Sequence, residues 1–120
     1  MNMYAMFADS SLITSGIPFP IDDNGVRVAI DMWSAFAFFI LGLATFMLWA
    51  SRDPLKYLGA VWLIVWLELF YGVGGDVYLI AGGYDAASYI VFIVIHLSII
   101  VTGVMFAREA SAKAADPLKA

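Results

Sequence analysis

Three apolar runs of bilayer length leave this chain little choice of fold. They are "AIDMWSAFAFFILGLATFMLWA" from about Ala29 to Ala50, a second from about Tyr57 to Ile80, and "YIVFIVIHLSIIVTGVMFA" from about Tyr89 to Ala107. A helix needs about 20 apolar residues to cross the hydrocarbon of a membrane. Composition agrees: 63% of the residues are hydrophobic and 13% charged, with a mean hydropathy of +0.90. A soluble domain of this size cannot bury that much apolar surface. The runs are too long and too little alternating for a membrane β-barrel. The expected fold is therefore an all-α integral membrane protein with three transmembrane helices. They occupy residues 29–108, preceded by a non-spanning segment 1–28 and followed by a tail 109–120.

The connections are short. "SRDPLK" joins the first two runs, and Pro54 marks a boundary or the first turn of the second span. "GGYDAAS" joins the last two, its paired glycines reading as a helix stop. Links this short make neighbouring helices antiparallel. Arg52, Lys56, Arg108, Lys113 and Lys119 then share one side, and only Arg27 lies on the other. The positive-inside rule makes the cation-rich side cytoplasmic. The expected orientation has the N-terminus outside and the C-terminus in the cytoplasm. Trp33, Tyr78, Tyr84 and Tyr89 fit an outer aromatic belt, and Trp49 and Tyr57 an inner one.

The segment 1–28 is too short and too polar to span, and Pro18 and Pro20 end it. A surface segment on the outer face is expected, ahead of a re-entrant piece or an extended cover. "MNMYAMFADSS" lacks the positive start of a signal peptide, so no cleavage is expected. The tail "SAKAADPLKA" is expected to fray or trail.

Ionisable residues inside such spans are the candidate site. Glu68 falls near the middle of the second run, and His96 lies within about 3 Å of the same depth on the third. Asp76 is about 12 Å farther out along its helix, at a depth like that of Asp31, with Arg27 one turn before. Two polar layers result: a deep one with Glu68, His96 and Tyr71, and an outer rim with Asp31, Asp76 and Arg27. Intramembrane charges usually face protein or water and find partners there. Glu68, Gly72 and Gly75 fall within about 60° on one side of an ideal helix, with Trp62 and Trp66 nearly opposite. Tyr89, Phe92, His96 and Gly103 form a stripe on the third span; Ser34, Phe38, Gly42 and Thr45 form one on the first. Gly42, Gly72, Gly75 and Gly103 are the expected packing glycines. These faces suit the inside of a three-helix bundle or contacts with other subunits.

Glu68 has three readings. It is a protonated acid hydrogen-bonded to His96 or Tyr71 that ties helices together, a proton or cation site, or a contact to a partner protein or a bound ligand. One Glu and one His make no relay without further waters, which keeps the packing reading first. Ligation of a chlorophyll-like pigment by His96 is disfavoured by Phe92 one turn away, and a single histidine excludes a bis-histidine haem. No cysteine is present, so disulfides and thiolate metal sites are excluded, and no metal site is expected. "GVGG" and "AGG" lack the rest of a phosphate loop. No catalytic constellation is visible. A net charge of −4 without a basic cluster excludes nucleic acid as a partner.

The run from "SRDPLKY" through "VWLIVWLELFYGVGGDVYLIAGGY" to "FIVIHLSIIVTGVMFAR" resembles small bacterial membrane proteins of the BphX-like kind. The likeness covers about the last three quarters of the chain and gives the N-terminal segment no counterpart. It implies the fold and a bacterial inner membrane as the location, and carries no chemistry. The expected role is non-enzymatic: an accessory or structural subunit of a larger membrane complex, or a homo-oligomer, with the bilayer and other subunits or itself as partners. The alternatives are a small transporter or proton-conducting oligomer using Glu68 and His96 with Asp76 and Asp31, and a lipid- or pigment-binding subunit.

Overall fold

The computed structural model describes residues 11–115, with side chains through residue 113. Every described element is helical. A short helix α1 (Ser11–Thr14) precedes α2 (Asp23–Ala50). Helix α3 (Leu58–Leu67) runs through a π-helical segment (Glu68–Val73) into α4 (Gly74–Ala81), and α5 (Ala86–Ala115) closes the described chain. Three continuous helices, Asp23–Ala50, Leu58–Ala81 and Ala86–Lys113, are long and apolar enough to cross a membrane. The N-terminal segment is non-spanning, and residues 1–10 of it lie outside the described residues. The chain divides into a unit up to Trp49, which carries most of α2, and a unit from Ala50 onward, which carries α3 to α5.

Local chemistry sets the helix limits. Pro18 and Pro20 cannot lie inside a helix without costing its hydrogen bonds. Asp22 then caps α2: its carboxylate accepts from the Gly25 backbone N–H at 2.8 Å. The helix therefore starts at Asp23, earlier than the expected Ala29, because the cap and not the hydropathy fixes the end. Pro54 lies in the turn between α2 and α3. At the other end, α5 runs to Ala115, so Ser111–Ala115 extends the helix where a trailing tail is expected. Alanines there are strong helix formers, and Lys113 pairs with Glu109 at 2.8 Å one turn back. Residues 116–120 of the expected tail lie outside the described residues.

The link between α4 and α5 is a tight hairpin. Gly83 has φ +87°, a conformation natural for glycine. Tyr84 N–H donates to Leu79 C=O and Gly83 N–H to Ile80 C=O, both at 3.1 Å. That pattern is a Schellman stop. Asp85 at once caps α5, accepting from the Ser88 N–H at 3.1 Å and from the Ser88 hydroxyl.

The two helices joined by this hairpin pack antiparallel. A Cβ on Gly72 would meet the His96 ring, and one on Gly103 would meet Val65 Cγ2 at 2.8 Å; one residue number rises as the other falls. Glycines here let the backbones approach. Away from this seam the helices are bare. Trp66, Phe70 and Tyr78 on one helix, and Val91, Val94 and Val101 on the other, are more than half exposed. Such a surface is suited to acyl chains, not water. Three hydroxyls deep in the spans bond to their own helices. Thr45 donates to Leu41 C=O at 2.8 Å, Ser98 to Val94 C=O at 2.8 Å and Thr102 to Ser98 C=O at 2.9 Å.

Candidate functional site: a histidine between two carboxyl groups

Glu68, Gly72 and Asp76 recur every four residues along the second spanning helix. Opposite them, α5 presents His96. The ring lies on Gly72, where a side-chain Cβ would come within 2.6 Å of Nδ1 and 2.7 Å of Cγ. Only a glycine leaves room for the imidazole at that point. Glu68 Oε2 is hydrogen-bonded to His96 Nδ1. On the other edge of the ring, Asp76 Oδ2 lies 3.5 Å from Nε2.

An ideal α-helix does not give this arrangement. Eight residues at about 100° each put Asp76 about 80° around the helix from Glu68. The π segment changes the register. The Gly74 N–H reaches back five residues to Leu69 C=O, whereas the Glu68 N–H makes the ordinary four-residue bond to Ile64. A π-turn accommodates one extra residue, so Glu68 and Asp76 stand as if seven residues apart, within about 20° of one line. The carboxyl groups thus reach the same ring from above and below.

The cluster is sheltered within apolar helices. The side chains of His96, Glu68 and Asp76 are 26%, 21% and 12% exposed. Asp76 Oδ2 is buried and makes no hydrogen bond; at 3.5 Å from Nε2 it is close enough for ion pairing but too far for a good hydrogen bond. A neutral imidazole has one N–H and one lone pair, and an imidazolium has two N–H donors. Contact with carboxylates at both edges therefore calls for a proton on each ring nitrogen, or for a proton on a carboxyl group. The arrangement can hold and exchange protons.

The other candidate residues are distributed differently. Tyr71, one turn after Glu68, is 59% exposed and within electrostatic reach of Asp76. Asp31 and Arg27 face each other along α2 at 3.9 Å, both mostly exposed. Asp76, grouped with them by depth, meets His96. Gly72 and Gly103 lie in the seam between α5 and the preceding span. A Cβ on Gly75 would meet open space, because the π-turn changes the helical angles on which its grouping with Gly72 rested. Gly42 belongs to α2, outside this helix pair. The four-residue recurrence of Glu68, Gly72 and Asp76 brings Asp76 only to the flank of the site, and the π segment completes the alignment. Among the described residues, no group of histidines and acids is arranged to hold a metal ion.

No curated protein and no solved structure matches the chain. The family model described as BphX-like matches residues 3–113. The match reaches almost to the first residue, so the N-terminal segment, for which the resemblance offered no counterpart, is part of the family's extent. An all-helical chain with three potential spans, matched over nearly its whole length, is thereby placed: this protein belongs to the BphX-like family.

Proposed function

We propose that this small membrane protein binds and releases protons at Glu68, His96 and Asp76 as part of a transporter or a proton-conducting assembly. One observation carries the reading: an imidazole with a carboxyl group at each ring nitrogen, set between apolar helices. Ionisable groups at such depth are costly, and they mark ion and proton pathways. A helix pair held only by packing has no need of three of them around one ring.

The reading is tested in liposomes loaded with a pH-sensitive dye. Purified protein dissipates an imposed pH gradient, and Glu68→Gln assembles normally but loses the flux. A wild-type protein that leaves the gradient intact refutes conduction by this chain alone.

A second reading has its own support. Residues 58–67, on the Lys56 side of Glu68, hold no ionisable group, and α5 offers only Ser98 and Thr102 over the matching stretch. This helix pair thus lacks an ionisable side-chain path from the cluster to that side. Assembly with itself, or service as an accessory subunit of a larger complex, supplies the missing surface. Co-purification in mild detergent with a second polypeptide, together with no flux in its absence, favours this role. The bilayer is the solvent in both readings. The cation distribution supports an orientation with the loop at Arg52 and the C-terminus in the cytoplasm, and the resemblance to small bacterial membrane proteins supports a bacterial inner membrane as the location.

A further inference from the structure

The π segment lies between the two carboxyl residues that meet at His96, and this placement has a mechanical meaning. We infer that Glu68–Val73 is a register switch that sets whether His96 holds one carboxyl group or two, an inference that rests on the proton-binding reading above. In the form seen here, π-type bonding lines Asp76 up with Glu68 across the ring. If the same residues take ordinary α-helical bonds, Asp76 turns to about 80° from Glu68 and leaves the ring. Glu68 sits at the start of the segment and stays in place, and so does the contact at Nδ1.

The switch is driven by one proton. With both ring nitrogens protonated, the imidazolium attracts both carboxylates. When the Nε2 proton leaves for water, the Nε2 lone pair faces the carboxylate of Asp76, and two acceptors oppose each other. That contact is then repulsive, and the π-turn loses the interaction that offsets its poorer bonding. π-helical turns are rare, short and concentrated at functional sites, which is expected if a site contact must sustain them. Sequence favours both forms. Gly72, Gly74 and Gly75 relax the backbone, and Gly72 keeps the ring seated in either form. Among the described residues, the titratable groups in reach of Asp76 are His96 and Tyr89 from α5 and Tyr71 from its own helix, with Glu68 at the other ring nitrogen of His96. Neither tyrosine carries a charge near neutral pH, so the imidazole proton decides the balance.

The chain has one histidine, which gives an unambiguous probe. The full chain is labelled with nitrogen-15 in lipid nanodiscs, and the ring nitrogens of His96 and the amides of residues 68–76 are followed by NMR from about pH 4 to about pH 10. The switch requires the amide shifts of residues 69–76 to move in step with the ring. It also requires Asp76→Asn, which keeps shape and removes the charge, to leave those amides still while the ring titrates. The third arm deletes Val73. The deletion makes the segment α-helical with Glu68, Gly72 and Asp76 on one face, within about 60°. In that variant the ring is still flanked and still titrates, but the backbone no longer moves. If the wild-type ring titrates with amides unmoved, the switch is refuted and the proton site stands. If the ring does not titrate anywhere in that range, both fall.

Discussion

Glycine at position 72 is the smallest component of the site and the least replaceable. Its missing side chain is the space that the His96 ring occupies. Gly72→Ala forces the helices apart or expels the ring, and overpacking of this kind costs about 1–3 kcal/mol. Gly103→Ala meets only a methyl of Val65, the end of a side chain, and is expected to cost less. Gly75→Ala meets nothing and removes backbone freedom, so it is neutral or stabilising by about 0.5–1 kcal/mol. Thermal unfolding in one mild detergent ranks the three, and equal midpoints for Gly72→Ala and Gly75→Ala would contradict the seam. The same logic separates residues by face. His96→Ala strands two carboxyl groups in an apolar seam and lowers the midpoint, while Trp62→Leu, on the opposite side of the helix, does little. Depth counting put Glu68 and His96 at one level, and in the structure they touch. The same counting put Asp76 in another layer, since an axial distance takes no account of side-chain reach or of a change in helical register.

At the scale of elements, hydropathy marked the three long helices but not their ends. The ends belong to short polar signals: Asp22 and Asp85 as caps, Gly83 as a stop, and an ion pair that carries α5 past the apolar run. The π-turn was illegible for a different reason. Its residues, "ELFYGV", suit an α-helix and a π-turn alike, and the contact across to His96 that accompanies the π-turn is a tertiary feature. The cap at Asp85 gives a dependence on pH whose sign follows from its surroundings. Hydrogen bonds from the Ser88 hydroxyl, and then from its backbone N–H, hold the Asp85 carboxyl below the usual carboxylate range. A carboxyl lowered on folding stabilises above its unfolded value, about 3.9, and that contribution disappears as the pH falls through the lower, folded value. The protection factor of the Ser88 amide, its exchange rate measured against an unstructured peptide at the same pH, therefore falls in strong acid and is level near neutral pH. In Asp85→Ala it is low throughout and shows no such acid step.

In the unit from Ala50 onward, the helices turn much of their apolar surface outward, toward lipid in the membrane reading. Ser98 and Thr102 bond to their own backbone, whereas the carboxyl–imidazole cluster makes a polar link between the two spanning helices of that unit. The proposed topology is open to direct test because the chain has no cysteine. Single substitutions Arg52→Cys and Lys113→Cys are expected to resist a membrane-impermeant thiol reagent on intact cells and to react after lysis, and Ala87→Cys to react on intact cells. The reverse pattern overturns the orientation. The hairpin at Gly82–Asp85 also bears on biogenesis. Because the stop and the next cap are adjacent, the second and third spans leave the ribosome in quick succession and can enter the bilayer as a folded pair. Both acids can then meet their shared base, His96, at the moment of insertion, and neither has to cross the hydrocarbon as a solitary ion.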